Sequence, residues 1–186
     1  MAKNAVKVGL DWKWKHFSAS DTWVRDLLPK LAAKNITEKG LAGAVYVIRL
    51  AGKFAVHYPT GISSCIYIGR GNIKARLTGH KKWLSDILEL APDGEFEVGI
   101  VFPKVQNSAE AYKDVEAHLI EEFWALFGTA PMANSIYPSR TNPHYVYDKK
   151  LVNAALKRGA GTKFLWAIYP MKSNSLCAAY YKTHST

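Results

Sequence analysis

The hydrophobic period of this chain switches repeatedly between that of a strand and that of a helix, and this restricts the folds open to it. Short runs rich in β-branched and aromatic residues stand at 44–50 (Ala-Val-Tyr-Val-Ile-Arg-Leu), 53–58, Cys65–Ile68 and 95–102. Helical spacing occupies the stretches from Ile73 to about Leu90 and from the Glu110 region to Phe127. Helical and strand-like patterns alternate, which favours an α/β or α+β class. The expected architecture is a small antiparallel sheet of three strands, or slightly more, flanked by helices. The 186 residues, 48% of them hydrophobic, suit one globular domain with a real core. Residues 1–40 are expected to form an N-terminal helical extension, 41–137 the core, and 138–186 a C-terminal extension packed on it.

The punctuation supports these segments. Asp21 is placed to cap a helix running to about Lys34, with Trp23, Val24, Leu27, Leu28 and Leu31 at helical spacing. Pro29 inside it predicts a kink or an early stop. Gly52, Pro59-Thr60-Gly61 and Pro92-Asp93-Gly94 read as turns. Asn72 is the expected cap of the helix from Ile73. Asn107-Ser108-Ala109-Glu110 resembles a capping box, and Gly128 closes the helix that follows. A short helix at 148–157 and a strand at 163–169 are expected near the end. Residues 1–20 have no clear period, and 131–147 read as irregular, with Pro131, Pro138 and Pro143.

Charge then narrows the function. Lys and Arg total 25 against 15 acids, a net +10. Such an excess points to a polyanionic partner, nucleic acid ahead of an anionic membrane surface. The cations are spread without a long run, so this is no disordered basic tail. The two cysteines, Cys65 and Cys177, make neither a disulfide framework nor a metal-ligand pair. No apolar run is long enough to span a bilayer, and no signal peptide is evident. A reducing cytoplasm is the expected compartment.

A few residues carry chemistry. Tyr46 lies on one predicted strand and Tyr67 at the end of another, before Gly69. Arg76 and His80 share a face of the next helix, four residues apart, with Trp83 and Ile87 extending it and Ile73, Leu77, Leu84 and Leu88 forming a separate apolar stripe. A face part aromatic and part basic suits a phosphate backbone, although such a pair is usually a solvated surface. On the long helix, Tyr112, Val115, Leu119, Ile120 and Phe123 form the apolar stripe and Glu116 lies within it. A carboxylate there is costly unless it is paired or binds a metal. An ion pair with Arg76 or another cation explains it as well as catalysis does. Glu121 and Glu122 are expected to face water.

Taken together, Ala44-Val45-Tyr46, Tyr67-Ile68-Gly69, Arg76, His80, Glu116 and then Pro131 with Asn134 resemble the GIY-YIG nuclease superfamily. The likeness covers about residues 43–136, more than half the chain. Alanine replaces the leading glycine of the first signature, and one residue fewer than in many members separates Tyr67 from Arg76. The long stretch between Tyr46 and Tyr67, with Gly52-Lys53-Phe54 in it, is similar to an insertion in restriction enzymes of that superfamily. The resemblance implies a metal-dependent DNA endonuclease, of restriction type, that cuts double-stranded DNA. Homing, mobile-element or repair nucleases, a nuclease toxin and a non-catalytic nucleic-acid-binding module remain as alternatives.

In that reading Tyr46, Tyr67, Arg76, His80, Glu116 and Asn134 are catalytic. Glu116 holds Mg²⁺ or Mn²⁺ with waters and phosphate completing the shell. Tyr46 is the general base, Tyr67 orients water or phosphate, and Arg76 forks onto the non-bridging oxygens. His80 positions Tyr46 or relays its proton, and Asn134 holds the local geometry. Arg70, Lys74, Lys81, Lys82 and Arg140 are expected to contact DNA. Trp12, Trp14, Asn142, His144 and Tyr145 are candidates for specificity contacts. A homodimer is one way for so small an enzyme to cut both strands, and a bacterial or phage-encoded protein is expected.

Overall fold

The computed structural model describes residues 5–18, 20–51, 54–90, 95–106, 108–156 and 166–168. In chain order the elements are β1 (Val6–Lys7), β2 (Lys13–Phe17), α1 (Leu28–Ala32), β3 (Val45–Leu50), β4 (Phe54–Tyr58), β5 (Gly61–Ser63), β6 (Cys65–Arg70), α2 (Ile73–Leu90), β7 (Phe96–Val101), α3 (Ala111–Phe127), β8 (Tyr145–Val146), α4 (Lys149–Leu156) and β9 (Trp166–Ile168). The expected signals at Gly52, Pro92-Asp93-Gly94, Asn107 and Cys177 lie outside the described residues, as do 157–165 and 169.

The class is α+β, and β3 organises it. Every residue of β3 is buried, as a strand covered on both faces must be. It pairs antiparallel with β6 on one edge and β7 on the other, and β2 adds beyond β7. The principal sheet is therefore four-stranded, in the order β2-β7-β3-β6. Two expectations are corrected here. The strand at 54–58 does not join β3. Both hydrogen-bonding edges of β3 are occupied by β6 and β7, and β4 pairs with β5 across the Pro59-Thr60 turn and with β9 in parallel. The first 18 residues, which had no readable period, contribute the edge strand β2, and the helical part of residues 1–40 is confined mainly to 23–32.

Local capping follows the sequence in part. Asn72 Oδ1 accepts the backbone N–H of Lys74 at 3.1 Å and so starts α2. Gly128 closes α3 at φ +74°, a left-handed position that glycine adopts without penalty. The cap expected at Asp21 falls one residue later. Thr22 Oγ1 accepts from Arg25 N, and the Asp26 carboxylate accepts from Thr22 N and Oγ1, while Asp21 pairs with Lys30. Pro29 follows a π-helical turn over Trp23–Leu27 and stands at the start of the α-helical part, so the helix changes type just before the residue that lacks an N–H. Nor does the capping box before α3 form as read: Glu110 precedes the helix with no side-chain cap and pairs with Lys113.

A buried cation ties helix α4 to the sheet. The Arg49 side chain is 7% exposed. Its Nε donates to Glu97 at 3.1 Å and its Nη1 to the Ala154 carbonyl of α4 at 2.6 Å, and the guanidinium lies 3.4 Å from the Trp14 ring centroid. A buried charge is tolerated only when paired and hydrogen-bonded to this extent. Ser63 adds a bond to Leu156 O at 2.5 Å, and Val152, Ala155 and Leu156 are buried. No helix among the described residues is long and apolar enough to cross a membrane.

Candidate active site

Strand register brings the two tyrosines together. Tyr46 lies opposite Gly69, and Tyr67 is two residues before that glycine. Residues opposite or two apart share a face, so both phenols stand on one side of the sheet, their rings 5.8 Å apart and tilted by 30°. They overlie Gly69. A Cβ on it would come within 2.6 Å of Tyr67 Cε1 and 2.7 Å of Tyr46 Oη. The glycine is required here by close approach, since its φ is ordinary.

Tyr67, Arg70, Arg76, His80, Glu116 and Asn134 line one cavity of about 270 Å³, together with Trp83 and the loop around 133–138. Strand β6, helices α2 and α3 and that loop each supply a wall. The volume is just below the roughly 300–1,000 Å³ of sites that take whole small molecules. It suits a phosphodiester group and an attendant hydrated ion.

Glu116 does find a cation, and the partner is Arg70. Arg70 Nε lies 3.1 Å from Oε2, with the glutamate side chain 14% exposed. Arg76 is close enough to act electrostatically on Glu116. Burial raises the Glu116 carboxyl above its ordinary range, and the two guanidiniums only partly oppose this. Arg70, expected on the DNA-contacting surface, is thus a member of the pocket. Asn134 pairs with the open edge of β6: Oδ1 accepts from Ile68 N at 2.9 Å and Nδ2 donates to Ile68 O at 2.7 Å. Its amide imitates a further strand residue and holds the Tyr67-Ile68-Gly69 segment in place.

Tyr46 does not line the cavity. It is 0% exposed, and its hydroxyl makes no well-formed hydrogen bond, although the Tyr67 hydroxyl is close enough to act on it. Burial first, and then the neighbouring Tyr67, drive its pKa well above that of a free phenol, against a smaller opposing pull from Arg76. That is the wrong direction for a resting phenolate. The phenol that reaches the pocket is Tyr67. On α2, Ile87 proves to be core, 8% exposed, while Trp83 forms part of the cavity wall.

Several expected DNA contacts have other engagements. Lys74 pairs with Glu38 at 2.7 Å. Arg140 donates to the carbonyls of Asn142 and Tyr145. Trp12 and Trp14 stack at 5.5 Å, and Trp14 covers Gly99 beneath Arg49. The side chains of Lys81 and Lys82 lie outside the described part. Asp114 was not anticipated. It is 5% exposed and accepts from Thr141 N, Thr141 Oγ1 and Asn142 N, anchoring the loop to α3. Its nearness to Glu116 along one helix was the only hint in the sequence.

Among the described residues no three His, Cys, Asp or Glu side chains cluster as a metal site. A lone carboxylate still fits Mg²⁺, which keeps most of its waters and commonly takes one or two carboxylates plus phosphate. No protein-family model, curated protein or solved structure matches the chain.

Proposed function

We propose that this protein is a divalent-metal-dependent endonuclease that hydrolyses phosphodiester bonds in DNA, acting on duplex DNA in the manner of a restriction enzyme. The observation that carries the reading is the convergence of Arg70, Arg76, Glu116, Tyr67 and His80 on one phosphate-sized cavity in a chain of net charge +10. Arg76 is suited to grip the non-bridging phosphate oxygens with its planar fork. Glu116 would hold Mg²⁺ or Mn²⁺. When bound, such an ion neutralises charge developing on the phosphate and the leaving oxygen. The Tyr67 hydroxyl orients water or phosphate, with Tyr46 behind it as a positioning group. Asn134 keeps the strand carrying Tyr67 in register.

One observation favours a second reading, a non-catalytic nucleic-acid-binding module: the Arg70–Glu116 ion pair satisfies the buried acid without a metal. Plasmid digestion separates the two. Cleavage in Mg²⁺ that stops with EDTA, and stops with Glu116→Gln while DNA binding persists, supports the enzyme. Undiminished cutting by Glu116→Gln ends the metal assignment, and wild-type protein that binds DNA but never cuts it leaves the binding module. Discrete fragments, as against a smear, test the restriction-type specificity.

A further inference from the structure

Trp83 stands outside the residues assigned above, yet it decides what His80 can do. Its indole Nε1–H donates to His80 Nδ1 at 2.9 Å. Indole nitrogen is a donor only, so Nδ1 must present a lone pair. A neutral imidazole with a bare Nδ1 carries its proton on Nε2, and a protonated one could not accept the bond at all. The direction of this bond follows from the chemistry of indole, which has a proton to give and no lone pair to offer.

The ring is also clamped. It lies 4.4 Å from the Tyr67 ring and 5.1 Å from the Trp83 ring, centroid to centroid, and all three side chains line the cavity. Burial, and after it the neighbouring Arg76, push His80 down to about 4, so the ring is neutral near pH 7. Its Nε2 is buried without a hydrogen-bond partner. A buried donor left unpaired is costly and calls for a reason.

We infer that Trp83 is a positioning residue that holds His80 as the Nε2–H tautomer, so that His80 enters the reaction as a hydrogen-bond donor to the anionic oxygens in this pocket and not as the proton acceptor. This rests on the nuclease reading for its reaction, but not for its geometry. It replaces a proton relay through His80 with a fixed dipole on the wall of the pocket, whose buried Nε2–H a bound phosphate would have to uncover.

Long-range ¹H–¹⁵N spectra of the full chain test the geometry without any cleavage. His80 is expected to show a protonated Nε2 and a bare Nδ1 in the wild type, and a mixture of tautomers in Trp83→Phe. Protonation on Nδ1 in the wild type overturns the inference. Cleavage then tests the role. Trp83→Phe is expected to lower kcat about three- to tenfold, the loss ordinary for one hydrogen bond, with KM for DNA unchanged. His80→Gln keeps a donor and should stay well above His80→Ala, whereas a proton acceptor would be lost equally in both, so equal loss refutes the donor role. If Trp83→Phe lowers thermal stability but leaves the tautomer and kcat alone, Trp83 is packing and the inference fails. Wild-type protein that does not cut DNA but shows the Nε2-protonated ring sinks the nuclease reading alone.

Discussion

Alanine at Gly69 would put a methyl group where the two site tyrosines already meet. Its Cβ would stand 2.6 Å from Tyr67 Cε1, 2.7 Å from Tyr46 Oη and 2.8 Å from Tyr46 Cζ. Comfortable separations are about 3.5–4.0 Å, so each contact is short by roughly 1 Å. Tyr46 cannot give way, being 0% exposed on the central strand. Either β6 moves off β3 or the Tyr67 ring swings into the cavity. Overpacking of this kind costs about 1–3 kcal/mol. In a chain of this size each kcal/mol shifts Tm by about 2–4 °C, so the fall should be roughly 2–12 °C. A misplacement near 1 Å at a reacting group costs on the order of a hundredfold in rate, so cleavage should suffer more than stability. Scanning calorimetry and a plasmid-cleavage time course read the two effects. Gly79→Ala is the control: nothing lies within 4 Å of its would-be Cβ in the middle of α2, and it should stabilise by about 0.5–1 kcal/mol. Gly69→Ala with wild-type Tm and rate would refute the close-approach argument.

Asn134→Ala leaves the N–H and C=O of the buried Ile68 without their side-chain partners. At about 1–3 kcal/mol for each stranded group, the loss should be roughly 2–6 kcal/mol by chemical denaturation, and a change within error would show that water replaces the amide. Tyr46→Phe removes a buried hydroxyl that makes no well-formed hydrogen bond, so Tm should hold or rise, and the cleavage rate should fall less than in Tyr67→Phe. The reverse order of rates would return Tyr46 to the role of base. His80 and His118 are both pushed down to about 4, chiefly by burial, with Arg76 and Arg140 adding to it. An unfolded histidine binds its proton near 6.5, so between about 6.5 and 4 the unfolded chain holds more protons, and stability present above that window is lost as pH falls through it. Tm measured from pH 7 to 4.5 should drop, with a shallower slope in His118→Gln. An identical slope in that variant would remove His118 from the account.

Local chemistry was readable in the chain. Asn72 starts α2 and Gly128 ends α3 because a side-chain acceptor and a left-handed glycine act within one turn of themselves. The runs at 45–50 and 96–101 are strands because their apolar residues leave little else open to them. Even the awkward placement of Glu116 in an apolar stripe was visible as a problem needing a partner. Which partner was not visible: Arg70 and Arg76 are both arginines, and only the end of β6 beside α3 puts Arg70 in contact. The same holds for β4, a good strand by composition that pairs with β5 and β9 and not with the main sheet. It holds for Tyr46 as well, whose phenol looks like Tyr67's until burial separates them. Periodicity and capping depend on neighbours a few residues away, so sequence alone determined the segments. Strand pairing, ion-pair choice and burial depend on groups many tens of residues apart, whose meeting is decided only when the whole chain packs.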